Sequence, residues 1–248
     1  MELKDLRDYY NNIYYDSDKK YSRRVEDYKV FLDYLHPEKD SKLLDVSCGP
    51  GLLLKAAEKY YNCQTYGIEL SEKAVLEAKN NTKFSKLQIA DGEVLPYRNN
   101  TFDYVTSIGS LEHYINPEKG LDEIIRVCKP GGKICIVLPN YYYLLNILNV
   151  FLKGDHYIGH RQINERVDTL KGWLRFLKKE GLIIEKIYQD KGGKQPPIFE
   201  YLNPVKIIKR IFKKLLLALT PLNLTYQFVF ICRRTKLNKE LKKLNESV

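Results

Sequence analysis

Several features that mark membrane, secreted and zinc-binding proteins are missing from this chain of 248 residues. No run of 18 or more apolar residues occurs, so no segment is typical of a transmembrane helix. The opening residues, MELKDLRDYY, are charged and contain no apolar stretch, so we expect no signal peptide. The five cysteines are scattered and never form a CxxC pair, which disfavours a disulfide framework and a metal site. These absences favour a cytoplasmic protein with reduced thiols and no bound metal.

Two common nucleotide-binding motifs are also missing. The dinucleotide motif G-x-G-x-x-G would need glycine at positions 47, 49 and 52, where the chain has Ser47, Gly49 and Leu52. No G-x-x-x-x-G-K-[ST] sequence occurs, which excludes a P-loop. The sequence therefore disfavours a nicotinamide or flavin cofactor and argues against a P-loop nucleotide hydrolase.

Acidic residues are scarce at the C-terminal end, and the net charge of +10 is concentrated there. Residues 201–248 contain 11 Lys or Arg and only 2 Asp or Glu. Within this part, residues 204–221 read PVKIIKRIFKKLLLALTP, which predicts a basic amphipathic helix bracketed by prolines. Such a helix can lie on an anionic membrane surface, with the protein peripheral on the inner face of the membrane, or it can pack on its own domain. Residues 236–248 are predicted to form a basic tail.

Short apolar runs alternate with amphipathic helical patterns from residue 41 onwards. The predicted strands and helices are Leu43–Val46, Leu52–Tyr61, Gln64–Ile68, Ser71–Asn80, Leu87–Ala90, Phe102–Ser107, Pro117–Cys128, Lys133–Leu138, Thr169–Glu180, Leu182–Tyr188 and Tyr226–Cys232. Repeated units of this length predict an α/β fold, a Rossmann-like, doubly wound, mostly parallel sheet with helices on both faces. Ligands of such sheets bind outside the carboxyl ends of the strands.

Three stretches fall outside this alternation. Residues 1–40 are rich in tyrosine and predict an N-terminal helical lid on a main domain of residues 41–235. Residues 139–168 and 191–224 interrupt the main domain, and the second interruption lies between the last two strands. Long insertions at strand ends commonly carry substrate specificity, so we expect both to form a substrate cap.

The stretch from Lys42 to Leu54, KLLDVSCGPGLLL, combines a strand, a glycine turn and the start of a helix. This geometry directs backbone N–H groups and a helix N-terminus at a bound ligand. Glu69 ends the second strand, where a carboxylate can accept both hydroxyls of a ribose. Asp91 follows the third strand, where it can accept a hydrogen bond from an exocyclic amine such as that of adenine. Together these residues predict a ligand that contains adenosine.

Three segments in this order carry a resemblance to a known family: DVSCGPG, GIELS, and ADGEVLPYRNNTFDYVTSIGSLEHYINPEKGLDEIIRVCKPGGKICIVLPN. From Lys42 to Asn140 the chain resembles class I S-adenosylmethionine-dependent methyltransferases of the methyltransferase 11, ubiquinone-biosynthesis-like type. The resemblance implies S-adenosyl-L-methionine as the cofactor. The positions that match the family's cofactor-binding residues are Asp45, Ser47, Cys48, Gly49, Gly51, Glu69, Leu70, Asp91, Gly92 and Ile108.

Ser47 departs from the family pattern, which usually has glycine at this position. A serine is tolerated there if its φ angle is negative. Its side chain would then narrow the space beside the cofactor or add a hydroxyl contact.

The resemblance implies direct, in-line methyl transfer without a metal. Such a reaction depends mainly on alignment, because a sulfonium methyl group is already electrophilic. An oxygen nucleophile usually also needs a general base. His113, after the fourth strand, is one candidate, although a structural role suits it equally well. Asp155, His156 and His160 are better candidates, because they lie in the insertion after the fifth strand.

The acceptor is less clearly indicated than the cofactor. The order of elements after the fifth strand resembles methyltransferases that act on small molecules or on saccharide and lipid-linked intermediates, which favours transfer to oxygen. An RNA methyltransferase that uses the basic tail is one alternative. The lysines of the tail alternate with aliphatic residues and not with aromatic ones, so nucleic acid is not the expected partner. A non-catalytic module that binds S-adenosylmethionine is the other alternative.

Overall fold

The computed structural model describes residues 2–15, 23–154, 164–190, 215 and 219–234. The predictions for Asp155, His156 and His160 lie outside these residues. The predictions for the tail 236–248 and for most of the segment 204–221 also lie outside them.

Seven strands form one sheet. They are β1 Lys42–Val46, β2 Gln64–Glu69, β3 Lys86–Ile89, β4 Phe102–Ile108, β5 Cys128–Pro139, β6 Leu182–Asp190 and β7 Gln227–Arg234. Their order is β3-β2-β1-β4-β5-β7-β6, with β1 to β5 parallel and β7 antiparallel to both of its neighbours. The predicted doubly wound, mostly parallel sheet is confirmed.

Seven α-helices lie among the described residues. They are α1 Leu3–Tyr9, α2 Val25–Leu35, α3 Leu52–Tyr61, α4 Glu72–Asn81, α5 Pro117–Val127, α6 Leu144–Lys153 and α7 Leu170–Lys179. The sequence predicts four of them, α3, α4, α5 and α7, to within one residue at each end, inside the margin typical of helix boundaries. A π-helical turn, Tyr10–Tyr14, extends α1. Side-chain caps fix two of the predicted starts, because Ser71 accepts a hydrogen bond from the Ala74 N–H and Thr169 accepts one from the Gly172 N–H.

The sheet separates two apolar clusters, and the alternation of side chains along β1 shows how. Leu44 and Val46 pack with the helices α5 and α7, whereas Leu43 packs on the opposite face with α2 and α3. All three side chains are buried. Burying each such side chain stabilises the fold by about 1.5–3 kcal/mol, so the apolar alternation fixes which face of β1 meets which helices.

The predicted glycine turn before the fifth strand is present, but within a longer strand. Phe102 pairs with Cys128 and Tyr104 pairs with Lys133, so the residues between Cys128 and Lys133 bulge out of the ladder. Gly131, at φ 82°, supplies the left-handed conformation that this bulge requires.

The order of strands reverses between β1 and β4. The chain passes from β1 outward to β2 and β3, and then returns to place β4 on the other side of β1. In open α/β sheets the crevice at such a switch point, outside the carboxyl ends of the strands, is where ligands bind. None of the helices among the described residues is both long and apolar enough to cross a bilayer.

Candidate active site

The turn between β1 and α3 lies at the switch point of the sheet. Ser47, Gly49 and Gly51 adopt φ angles of 59°, 51° and 74°. Glycine takes such angles without the steric cost that a side chain brings. Gly51 also lies close to α4, where a Cβ atom would come within 3.0 Å of the Ala78 Cβ. The positive φ angles, and the absence of side chains at Gly49 and Gly51, allow the turn to pack closely against its neighbours, as the sequence predicts.

Ser47 does not meet the condition of a negative φ angle. The serine takes the left-handed conformation that the family's glycine would take, at a cost of about 1–2 kcal/mol for a residue with a side chain. Its Oγ lies 2.9 Å from the Tyr114 Oη, a hydrogen bond that contributes about 1 kcal/mol. Tyr114 also occupies the space beside Gly92, where a Cβ atom would lie 2.0 Å from the tyrosine oxygen. Tyr114 thus explains both positions: it partly offsets the strain at Ser47 and requires glycine at Gly92.

Glu69 connects the turn to the end of β2. Its Oε2 accepts a hydrogen bond from the Gly49 N–H at 2.9 Å, and its Oε1 accepts from the N–H groups of Leu70 at 2.8 Å and Ser71 at 3.0 Å. Burial raises the pKa of the carboxyl, and the three N–H donors oppose this shift. The geometry brings two of the predicted cofactor elements into direct contact.

The other predicted cofactor residues lie along the same edge of the sheet. Asp45 is buried under the turn, its Oδ1 accepts a hydrogen bond from the Thr106 Oγ1 at 2.6 Å, and burial raises its pKa to about 7. This bond ties β1 to β4. The half-exposed Asp91 follows β3 and accepts from the Glu93 N–H at 2.9 Å. Cys48 and Leu70 are buried and Ile108 is half-buried, at the ends of β1, β2 and β4 respectively.

The N-terminal segment lies against this edge. The Asn11 Oδ1 accepts a hydrogen bond from the Ser71 Oγ at 2.7 Å. The Tyr15 Oη lies 2.9 Å from the position of a Cβ on Gly49. Burial raises the pKa of Tyr15, and the negative charge of Glu69 raises it further. The tyrosines of this segment therefore approach the predicted cofactor residues, which their abundance in the sequence could not establish.

The segment is also held at the opposite end of the edge. Arg23 forms a partly buried ion pair with Asp190, the last residue of β6. Its guanidinium also donates to the Gln227 Oε1 at 3.2 Å and lies over the ring of Phe31. Contacts of the N-terminal residues thus reach from the ends of β1 and β2 to the ends of β6 and β7.

His113, the one described catalytic candidate, lies on a short 3-10 turn after β4. The turn spans Leu111–His113, and the histidine side chain is buried. Its backbone oxygen accepts a hydrogen bond from the Asn164 Nδ2 at 3.3 Å, and its Nε2 lies 3.9 Å from the Glu112 Oε1. The structure places His113 at the switch point but gives it a neighbour that the sequence argument overlooked.

That neighbour, Glu112, is a buried carboxyl. It is 3% exposed, and its Oε2 has no hydrogen-bond partner in the described part of the chain. Burial, reinforced by the charge of Glu165, raises its pKa to about 8. A group that titrates near neutral pH inside a cleft is a typical functional-site candidate. The only signal in the sequence is its position directly after the small-residue loop that ends β4.

Known proteins match this chain in sequence. A family model described as a methyltransferase domain matches residues 44–136, which include every predicted cofactor residue. A norajmaline N-methyltransferase of Rauvolfia serpentina is 37% identical over 111 residues, which are 42% of this chain and 38% of that relative. A ubiquinone biosynthesis O-methyltransferase of Coxiella burnetii is 32% identical over 173 residues, which are 62% of this chain and 73% of that relative.

Solved structures share the fold. A phosphoethanolamine N-methyltransferase of Haemonchus contortus, in complex with phosphomonomethylethanolamine and S-adenosylhomocysteine, superposes with a TM-score of 0.58 at 18% identity. The superposition covers 85% of this chain and 52% of that one. It shows that the sheet and helices described above are arranged as in a protein that binds the methyl-depleted form of S-adenosylmethionine.

Proposed function

This chain belongs to the S-adenosylmethionine-dependent methyltransferases, and from that premise we propose that it transfers a methyl group in line to an oxygen atom of a small-molecule, saccharide or lipid-linked acceptor. The observation that carries the proposal is the contact between Glu69 and the N–H of Gly49. It joins the predicted ribose carboxylate to the glycine turn of the predicted cofactor site at the carboxyl edge of the sheet.

The residues at the ends of β1, β2 and β3 fit S-adenosyl-L-methionine, which supplies an electrophilic methyl group when it is bound. Three N–H groups occupy the carboxylate of Glu69, which leaves about one of its four lone-pair positions for a ribose hydroxyl. Asp91 would accept from the adenine amine, and Leu70 and Ile108 would line the adenine and methyl ends of the pocket. The turn from Ser47 to Gly51 would hold the methionine part.

The N-terminal residues would form the lid over this site. Tyr15 lies next to Gly49, and Asn11 bonds to Ser71, so the segment covers the turn where the cofactor would bind. Exchange of the cofactor for its product would then require these contacts to open. This role supports the predicted boundary between a lid of residues 1–40 and the main domain.

The acceptor would bind on the side of β4, β5 and β7. The name of the Coxiella burnetii relative supports transfer to oxygen. α6, in the insertion predicted to form a substrate cap, exposes Phe151 and Leu152 at 84% and 74%, together with Ile147, Leu148 and Val150. This apolar surface favours a lipid-linked acceptor over a saccharide. The predicted membrane contact through residues 204–221, and with it a cytoplasmic enzyme at the inner membrane face, stays a prediction.

Methyl transfer into fractionated cell extract tests the proposal. The purified protein is incubated with extract and S-adenosylmethionine labelled in its methyl group, and label is counted in the small-molecule, lipid, RNA and protein fractions. We expect label in the small-molecule or lipid fraction, in a form stable to mild acid and base as a methyl ether is. Label that appears only in RNA or protein would contradict the proposed acceptor class. Label in no fraction, together with no thermal stabilisation by S-adenosylhomocysteine, would contradict the cofactor as well.

A further inference from the structure

We propose that Glu112 and Gln227 form the acceptor subsite, in which Glu112 takes up the proton of an acidic hydroxyl and Gln227 donates a hydrogen bond to the same oxygen. The inference rests on the proposed transfer to oxygen and adds the residues that would select and activate the acceptor. Gln227 lies outside the residues that the family model matches, and Glu112 lies within them but is not among the predicted cofactor residues.

The first support is the incomplete bonding of Glu112. Its Oε2 is buried without a partner among the described residues, and its Oε1 lies 3.9 Å from the His113 Nε2. An unpartnered buried acceptor costs about 1–3 kcal/mol. A chain keeps such a group most readily where a ligand completes its bonding. Here the group stands directly after β4, at the switch point where the acceptor must meet the cofactor.

The second support is a gap beside Gly109, at the position that a side chain on this residue would occupy. A Cβ atom on this residue would lie 3.7 Å from the Glu112 Oε1 and 3.8 Å from the Gln227 Nε2. A carbon-sized group at this position would therefore contact both the carboxyl and the amide. Gly109 adopts φ 65° and leaves this position open because it has no side chain.

The third support is the fixed orientation of Gln227. Its Oε1 accepts from the guanidinium of Arg23, so the Nε2 is the end of the amide that faces Gly109. Asp190 in turn holds Arg23. Arg23 and Asp190 are positioning residues in this arrangement, because they act on the acceptor only through the amide of Gln227.

Aromatic and titratable groups surround Glu112 from several elements. Glu165 raises its pKa, and His113 lies beside it on the same turn. Its charge also raises the pKa values of Tyr10 and Tyr14 from the N-terminal segment and of Tyr226 before β7. Three tyrosine rings near one carboxyl favour a flat, weakly acidic acceptor such as a hydroxylated ring.

The proposed step balances without a further reactant. The acceptor oxygen bonds to the methyl carbon as the carbon–sulfur bond breaks, and the sulfur keeps the bonding electrons. The hydroxyl proton passes to the carboxylate of Glu112, which later releases it to solvent. A phenolic hydroxyl, with a pKa of about 10, lies near the pKa of about 8 of Glu112. An alcohol, closer to water at about 15.7, is a much poorer match, so the subsite selects acidic hydroxyls.

Binding of phenol to the complex with S-adenosylhomocysteine tests the subsite without requiring turnover. Anisole, which has the same ring but no hydroxyl proton, is the control ligand. By calorimetry, we expect phenol to bind the wild type at least tenfold more tightly than the Glu112→Gln variant, and anisole to bind both equally weakly. The control variant Glu118→Gln removes an exposed carboxyl of α5 and should not change the affinity for phenol. Equal phenol affinity in wild type and Glu112→Gln, or no binding to the wild type, would overturn the proposal.

A second pair of variants separates occupation of the gap from backbone strain. Gly109→Ala and Gly131→Ala both place a side chain at positive φ, but a Cβ on Gly131 has nothing within 4 Å. We expect Gly109→Ala to weaken phenol binding at least tenfold and Gly131→Ala to leave it unchanged, with both losing thermal stability. Equal phenol affinity in these two variants would also contradict the subsite.

The rate of methyl transfer then distinguishes this inference from the proposed function. With the acceptor fraction found by extract labelling, Glu112→Gln should lower kcat at least 100-fold, in the range typical of a general base, and abolish the rise of rate with pH towards about 8. Its melting temperature should not fall. If the wild type and the Glu112→Gln variant label the fraction equally fast, the result supports the proposed methyl transfer and contradicts the role of Glu112 in the subsite. If no fraction is labelled while phenol binding depends on Glu112, the result supports the subsite as a phenol-binding site and contradicts the proposed methyl transfer.

Discussion

The two halves of the carboxyl edge are built in different ways. The cofactor half uses the ends of β1, β2, β3 and β4, and its residues lie within one stretch from Asp45 to Ile108. The acceptor half combines Arg23, Glu112 and Gln227, and the first and last of these are 204 residues apart. A site made from one stretch leaves a motif in the sequence. A site made from distant residues does not, so only the fold reveals it.

The buried carboxyls of the two halves also differ, in how completely their oxygens are hydrogen-bonded. Glu69 accepts three backbone hydrogen bonds, so its anion is held in place. Glu112 keeps an unpartnered oxygen and has a pKa of about 8. The first arrangement suits a fixed ligand contact and the second suits a group that changes its protonation state. The following variants test this contrast, from the largest expected effect to the smallest.

Removing the carboxylate of Glu69 should have the largest effect. Glu69→Ala leaves three buried N–H donors without an acceptor, at about 1–2 kcal/mol each, so we expect the free energy of unfolding in urea to fall by about 3–6 kcal/mol. The affinity for S-adenosylhomocysteine should fall by roughly 100-fold, about 2.7 kcal/mol. Glu58→Ala is the matched control, because Glu58 accepts from the N–H groups of Lys83 and Phe84 away from the site. It should lower stability without changing that affinity, and equal losses of affinity in both variants would refute the assignment.

The pH dependence of stability should expose Glu112. Its folded pKa of about 8 lies above the ordinary value of 4.5, so its contribution to stability is complete below about pH 4.5 and is lost as the pH rises through 8. Between pH 5 and 8.5 the free energy of unfolding of the wild type should therefore fall relative to that of Glu112→Gln. The fall is about 1.4 kcal/mol for each pH unit passed between the ordinary pKa and the folded pKa. Asp45 titrates in both proteins and cancels in the comparison. Parallel stability curves would show that Glu112 is already ionised at neutral pH.

The partly buried ion pair of the N-terminal segment should contribute more to stability than an exposed one. Arg23→Leu removes the charged hydrogen bonds to Asp190 and Gln227, and we expect it to lower the free energy of unfolding by about 2 kcal/mol. Lys29→Leu breaks the exposed pair with Asp33 and should cost about 0.5 kcal/mol or less. Chemical denaturation measures both changes. Similar values for the two variants would mean that Arg23 does not hold the segment.

The smallest effect concerns the strained turn. Ser47→Ala keeps the side-chain strain at φ 59° and removes the hydrogen bond to Tyr114, whereas Ser47→Gly removes both. We expect the alanine variant to be about 1 kcal/mol less stable than the glycine variant in urea unfolding. The glycine variant should lie within about 1 kcal/mol of the wild type, because the relief of strain and the lost bond oppose each other. An alanine variant as stable as the glycine variant would show that the turn is not strained.

The sequence was enough to predict the sheet and the cofactor half, and physical reasons explain why. Periodicity fixes strands such as Gln64–Glu69 because one side of each strand must be buried. The turn after β1 is predictable because glycine is favoured where the backbone takes positive φ, as at Gly49 and Gly51. The conformation of Ser47 was not predictable, because its partner Tyr114 is 67 residues away.

The acceptor half was beyond the same reasoning. His113 attracts attention because imidazole titrates near neutral pH, whereas a glutamate titrates there only when it is buried. The burial of Glu112 depends on tertiary packing, which periodicity does not specify. Gln227 carries no charge and no motif, and only the register of β7 with β5 places it beside Gly109.

Calorimetric titration with S-adenosylhomocysteine tests the separation of the two halves most directly. We compare the wild type with Asp91→Asn from the cofactor half and Glu112→Gln from the acceptor half. Asp91→Asn keeps an oxygen for the Glu93 N–H but places an amide where the adenine amine would donate. The account predicts that the wild type and Glu112→Gln bind equally and that Asp91→Asn binds at least tenfold more weakly. Weakening in Glu112→Gln as large as in Asp91→Asn, or no binding to the wild type, would contradict it.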